Sequence, residues 1–109
     1  MIYEVTTTEQ ADADLRGVYE YIAFELLSLD NAAEQLDRLE EHIIGLENFP
    51  EKFRVYGKEP WYSKGLRVMP VDNYLVFYIL DKEAGIVTVI RVMYAGRNVD
   101  DQLKNHTVI

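Results

Sequence analysis

The chain predicts an α+β fold of two layers, in which a strand, two helices and three strands follow in the order β-α-α-β-β-β. Three observations carry this. Apolar residues recur every three or four positions across the first half, the mark of amphipathic helices. The last third is β-branched and aromatic, in runs separated by turn residues. A short alternating segment precedes the helices and needs a sheet to join, because its backbone groups would otherwise be unpaired.

Residues 2–6 (IYEVT) alternate apolar and polar and read as the first strand. Thr6 and Glu9 have capping-box spacing, with Thr7 and Thr8 as other caps for the helix that follows. Ala11, Leu15, Val18, Ile22 and Leu26 form its apolar stripe, broadened by Tyr19 and Tyr21, and it is expected to stop near Ser28-Leu29-Asp30. Asp30 or Asn31 can cap a second helix whose stripe is Ala32, Leu36, Leu39, Ile43 and Leu46. Asn48-Phe49-Pro50 closes it, since proline disfavours helical geometry in the residue before it. The short joint predicts an antiparallel hairpin of helices.

Residues 51–64 lack periodicity and contain Gly57 and Pro60, so they read as a loop anchored by Phe53, Tyr56 and Trp61. GLRVMPV, NYLVFYIL and IVTVIRVMYA read as three strands. Asp72-Asn73 and the segment DKEAG (81–85) supply the turns of an antiparallel meander, and the sheet is expected to pack on the helical hairpin. Residues 98–104 suit a short last helix and HTVI a frayed tail.

The 109 residues fit one domain, residues 1–109, and 49% hydrophobic content is enough for a core. The chain contains no Cys, which excludes disulfides, thiolate zinc sites and a Cys nucleophile. Two His are too few for a His-rich metal centre, so neither metal nor cofactor is expected. No apolar run approaches the roughly 20 residues of a membrane helix, and the start lacks the features of a secretory signal. A cytoplasmic protein without membrane contact is the simplest expectation. The net charge of −8 is unevenly placed: residues 1–51 hold 2 basic and 13 acidic residues, net −11, whereas residues 52–109 hold 9 and 6, net +3. Such asymmetry points to two faces with different partners.

The phrases ADADLRGVYEYI, LENFPEKF, GLRVMPVDNYLVFYI and VIRVMYAGRN, in this order over almost the whole chain, resemble the RelE/ParE superfamily, the toxins of bacterial type II toxin–antitoxin modules. The wording RVMPVDNYLVFY…IRVMYAGRN is more similar to the ParE-like, plasmid-stabilisation branch than to the mRNA-cleaving RelE enzymes. The resemblance implies a growth-inhibiting toxin neutralised by a cognate antitoxin, with which it forms a hetero-oligomer. ParE-like members inhibit DNA gyrase, a protein target. RelE-like members enter the ribosomal A site and cut mRNA without a metal. A third alternative is a non-toxic module that still binds an antitoxin.

Metal-free RNA cleavage needs a base for the 2′-OH, cations facing the phosphorane and an acid for the leaving oxygen. Without a His in the strand region, the catalytic candidates, should the chain be a nuclease, are Lys64, Arg67, Arg91, Tyr94 and Arg97. By resemblance, Arg67 matches the family's Arg on the first meander strand and Arg91 the Arg of its IxRV phrase. Tyr94 stands where a Tyr or His often follows the last strand, and Arg97 where an Arg or Lys follows in the turn. Lys52, Arg54 and Lys58 lie where nuclease members keep a basic cluster. Each has a plainer alternative. Arg91 is in phase with Val87, Val89 and Met93, so its stem can cover apolar surface while its head reaches a carboxylate. Tyr74, Phe77 and Tyr78 read as packing, Trp61 as a loop anchor and His42 as solvent-facing. The run Tyr74–Leu80 suggests a second apolar sheet face, which an antitoxin segment would cover, or else it would extend an edge strand.

Overall fold

The computed structural model describes residues 2–96 and 98–108. The elements are β1 (Glu4–Thr7), α1 (Glu9–Glu20), a π-helical turn (Tyr21–Glu25), α2 (Leu29–Gly45), a 3₁₀ turn (Pro50–Lys52), α3 (Trp61–Lys64), β2 (Arg67–Val71), β3 (Tyr74–Asp81), β4 (Ile86–Tyr94) and α4 (Val99–His106). The expected order of strands and main helices is present.

The sheet order is β1-β4-β3-β2. The meander is antiparallel as expected, but β1 joins β4 in parallel, from Glu4↔Ile86 to Thr7↔Val89, so the sheet is mixed rather than antiparallel. After α2 the chain is back at the end of the sheet where β1 begins, since Tyr3 N–H donates to Glu47 O, and β4, two antiparallel pairings on from β2, therefore runs parallel to β1. The two-residue turn Asp72-Asn73 sits where predicted, with Asp72 in the left-handed region (φ 53°) that such turns require.

Two apolar clusters hold the sheet. On one face Ala11, Val18 and Ile22 of the first helical segment and Ala32, Leu39, Ile43 and Leu46 of the second pack on Met69, Val76, Tyr78, Val87, Val89 and Val92. These are residues of the predicted stripes, in which Leu15 is only partly buried against the core and Leu26 and Leu36 lie outside it. On the other face Trp61, Leu66 and Leu103 pack on Val68, Phe77, Ile90 and Met93. That second face is apolar, as read from Tyr74–Leu80, but α3 and α4 of the same chain cover it. It is therefore not bare for an antitoxin segment. The β2 edge is blunted too. Val55 bridges Arg67, Val68 N–H donates to Arg54 O, and Pro70 offers no donor.

Local signals decided the remaining boundaries. Thr8, one of the three possible caps, accepts from Ala11 N–H at 3.0 Å through Oγ1 and donates to Ile90 O. The expected cap of the second helix is displaced: α2 starts at Leu29 after Ser28, which makes no side-chain cap bond, rather than at Asp30 or Asn31. The cause is the preceding exit. The α-helix gives way to the π turn at Tyr21, and Leu27 takes a left-handed φ of 54° that turns the chain early. The segment 51–64, read as loop, contains the 3₁₀ turn and α3, with Trp61 buried as its anchor.

Candidate functional site

Arg67 opens β2, half-buried, in register with Tyr78 of β3. Its Nη1 donates to Phe53 O at 2.6 Å and Glu51 O at 3.1 Å. The guanidinium thus pins the segment after α2 to the sheet. Tyr78 assists from below, donating its hydroxyl to Pro50 O. Burial pushes the Tyr78 phenol up to about 12, against a partial offset from the Arg67 charge.

Arg91 lies at a bulge in β4, where the register against β3 shifts between Phe77 and Tyr78. β1 ends at Thr7, opposite Val89, so the β4 edge is open beyond that point and α1 crosses it. Asp14 of α1 meets Arg91 there in a two-pronged ion pair, Nε to Oδ2 at 2.7 Å and Nη2 to Oδ1 at 3.1 Å. The side chains are only 8% and 16% exposed. Asp14 also accepts Val92 N–H, and Arg91 Nη1 donates to His106 O and Thr107 Oγ1. Gln10 holds the same tail, donating to His106 O and accepting Val108 N–H. Arg91 is therefore a clamp between α1, β4 and the C-terminal end of α4 with Thr107 beyond it. Its head does reach a carboxylate, as the plainer sequence reading expects, but the bulge puts Arg91 out of phase with Val87 and Val89, which face the other apolar cluster.

Tyr94 ends β4, 49% exposed, with its ring edge-to-face on Tyr74 at 5.9 Å. Gly96 lies beneath it, where a Cβ would stand 2.5 Å from the Tyr94 ring. Lys64 is exposed at the end of α3. Arg97 lies outside the described residues. Lys52 and Arg54 are exposed on the loop, whereas Lys58 pairs with Asp100 at the start of α4.

Of the described candidates, Arg91 and Tyr94 line one common groove, whereas Arg67 and Lys64 lie away from it. Arg67 and Arg91 are two strands apart, about 10 Å across the sheet, and their register partners Tyr78 and Phe77 belong to opposite apolar clusters. One guanidinium is anchored beyond the β2 edge, the other beyond the β4 edge. Tyr94 is in register with Tyr74 and, through it, with Val71, four residues along from Arg67. That adds roughly 13 Å along the strand. Arg67 and Arg91 do not assemble a cationic pocket, because both donate to partners within the chain.

The concavity that Arg91 and Tyr94 share also takes in Asp14, the partner of Arg91. This groove of about 900 Å³ runs between the tip of the helical hairpin and the far ends of β3 and β4. Val18, Ile22, Leu26, Val92 and Met93 line it, with Tyr21, Tyr74 and Tyr94. Burial raises the Tyr74 phenol, and the neighbouring Tyr94 and Tyr21 phenols raise it further. At the rim Arg38 holds Asp72 at 2.8 Å and Gln35 donates to the same carboxylate, which keeps Asp72 below the usual carboxylate range. Sequence reading missed this groove, because Asp14, Arg38 and Asp72 sit in three separate segments and only the fold brings their partners to them. Among the described residues no cluster of three or more His, Asp or Glu is placed to hold a metal, and no helix is long and apolar enough to cross a membrane.

The family model for the ParE toxin of the type II toxin–antitoxin system parDE matches residues 5–99. The chain belongs to the ParE toxin family. It is thus a type II toxin of the RelE/ParE superfamily, the group that the sequence phrases resembled. No curated protein matches this ParE-family chain at the sequence level. Solved structures do match in fold. The chromosomal ParDE toxin–antitoxin system of P. aeruginosa matches with a TM-score of 0.69 and 16% identity over 85% of this chain and 96% of that one. The RelBE2 toxin–antitoxin complex of Mycobacterium tuberculosis matches with a TM-score of 0.65 and 22% identity over 86% and 92%. A double-arginine mutant of E. coli toxin RelE in the free state gives 0.62 and 16% over 91% and 90%. At these identities the likeness is one of fold.

Proposed function

We propose that this ParE-family chain is the growth-inhibiting toxin of a two-protein module, that a cognate antitoxin neutralises it in the cytoplasm, and that it acts by binding a protein target, DNA gyrase. The observation that carries this reading is the fate of the cations. Arg91 is locked against Asp14 and Arg67 against two carbonyls, which leaves few charges free to stabilise a phosphorane. The net charge of −8 points the same way, since surfaces that track phosphate need several cations. The match to the ParE family model and the fold likeness to two toxin–antitoxin complexes support the partner.

The test is induced expression of the chain alone and with the product of the neighbouring short reading frame. Growth arrest with the chain alone, relieved by co-expression, is expected. Normal growth with folded protein present would favour a non-toxic antitoxin-binding module.

One observation favours a second reading, ribosome-dependent mRNA cleavage. Lys52, Arg54 and Lys64 are exposed on the segment before β2, and Tyr94 is half-exposed. Mapping mRNA ends in translating ribosomes separates the two. New 3′ ends that vanish in Tyr94→Phe and Arg67→Ala would support the nuclease, whereas an unchanged pattern of ends is expected.

A further inference from the structure

The turn that follows α2 throws one aromatic ring into solvent. Phe49 is 79% exposed, and its backbone sits at φ 50° and ψ 54°. That left-handed conformation is costly for a residue with a Cβ, the more so before Pro50, where extended backbone is favoured. The fold holds the turn there from beneath. Tyr78 donates to Pro50 O, and Arg67 Nη1 donates to Glu51 O and Phe53 O. The pinned segment presents Phe49 as a wedge, and the ring gains little packing in return. Lys52, which lies over the Phe53 ring at 5.2 Å, and Arg54 are both exposed on the same segment. Neither pairs with an acid among the described residues, whereas Glu51 is engaged by Lys82 at 3.6 Å.

The complement of this wedge lies on the same chain. On the outer side of the helical hairpin a notch of about 340 Å³ opens between α1 and α2. Its apolar lining is Leu15, Tyr19 and Leu36, each left half-buried by the core. Asp12, Glu20 and Glu40 stand at its rim against one cation, Arg16. Glu20 and Glu40 make no ion pair among the described residues, and Asp12 accepts Thr7 Oγ1. Phe49 of the same chain does not line the notch. Wedge against wedge would set Lys52 and Arg54 against themselves, and notch against notch would do the same to the three acids. Wedge against notch brings apolar surface to apolar surface and cations to acids.

We infer that a second copy of this chain occupies the notch: Phe49 of one copy enters between Leu15, Tyr19 and Leu36 of the next, and Lys52 and Arg54 face Glu20 and Glu40. The contact either closes reciprocally in a two-fold pair or repeats head to tail along a row of copies. One aromatic anchor buries on the order of 150–250 Å². An interface built on it is small, so the association is weak and depends on concentration. The notch shares no lining residue with the larger groove between the hairpin tip and the strand ends, and the inference stands apart from the choice of cellular target.

The experiment follows the purified full chain by sedimentation velocity across a concentration series, with thermal melts of every variant. The average mass of the wild type should rise with concentration. Asparagine tolerates left-handed backbone, so Phe49→Asn should melt at or above the wild-type temperature while association weakens at least tenfold. The double variant Glu20→Lys, Glu40→Lys should weaken association similarly. An equimolar mixture of these two proteins keeps one intact wedge and one intact notch, and it should associate more tightly than either protein alone. Tyr62→Ser, at an exposed ring on α3, should associate within twofold of wild type. A wild type that stays monomeric up to about 1 mM overturns the proposal. Wild-type association in Phe49→Asn or in the double Glu variant overturns it as well, and so does a mixture that associates no better than its components.

Discussion

Replacing Arg91 by Met removes a cation from a site that is almost closed to water. The Asp14 carboxylate then keeps a single donor, Val92 N–H, and the end of α4 loses the bonds to His106 O and Thr107 Oγ1. Leaving one member of a buried ion pair without its partner costs about 3–5 kcal/mol. Asp14 retains some access to solvent, so the lower figure is the appropriate one. A loss of about 3 kcal/mol in a domain of this size lowers the melting temperature by roughly 12–15 °C. Arg91→Lys keeps the charge but loses the two-pronged geometry, and it should fall between wild type and Arg91→Met. The double variant Asp14→Leu, Arg91→Met removes both charges and should recover part of the loss. Calorimetric or fluorescence melts of the four proteins decide the matter. A melting temperature for Arg91→Met within about 2 °C of wild type, an error well below the expected shift, would refute the clamp. So would a variant that melts normally yet has lost toxicity, because that is the behaviour of a reactive residue.

Three further outcomes follow from named contacts. Tyr78→Phe leaves the Pro50 carbonyl without its buried donor and should cost about 1–2 kcal/mol, read from urea denaturation. Because the folded Tyr78 phenol is held up at about 12 against an ordinary value of 10.0, the neutral form is favoured in the fold, so this contribution is complete below pH 10 and is lost as pH rises towards 12. Alkaline melts should fall less steeply in Tyr78→Phe. Thr8→Ala removes the α1 cap and should cost about 1 kcal/mol, with faster amide exchange at Ala11 than in wild type. Asp72 is held below the usual carboxylate range by Arg38 and Gln35, so its contribution is present above the unfolded value and disappears as pH falls through the lowered one. Melting of Arg38→Gln should approach that of wild type in acid and at high salt, and a constant gap would contradict the pairing.

Much of this architecture was legible in the residues. Periodicity placed Ala11, Val18 and Ile22, then Ala32, Leu39, Ile43 and Leu46, on the buried faces, because a helix registers burial every three or four positions. Asp72-Asn73 marked its turn by chemistry that the backbone demands there. The parallel pairing of β1 was not legible, since alternation fixes which face a strand shows but not its neighbour's direction. Leu26 was misplaced because the π turn adds a residue to the period, and nothing in Tyr21–Glu25 announces it. The candidate site divided along the same line. Residue type and spacing nominated Arg67, Arg91 and Tyr94, but their partners are backbone carbonyls and an Asp from 77 residues away in sequence. Only the register, with its shift at Phe77 and Tyr78, shows the two guanidinium groups facing different neighbours.

The reading of this ParE-family chain as a toxin that binds a protein, and does not rely on a cationic catalytic pocket, is tested most directly with purified gyrase and relaxed plasmid. Increasing toxin should abolish supercoiling near stoichiometric amounts, and addition of the antitoxin should restore it. Full supercoiling at a large excess of folded toxin, together with new mRNA ends in a ribosome reaction containing the same preparation, would contradict it.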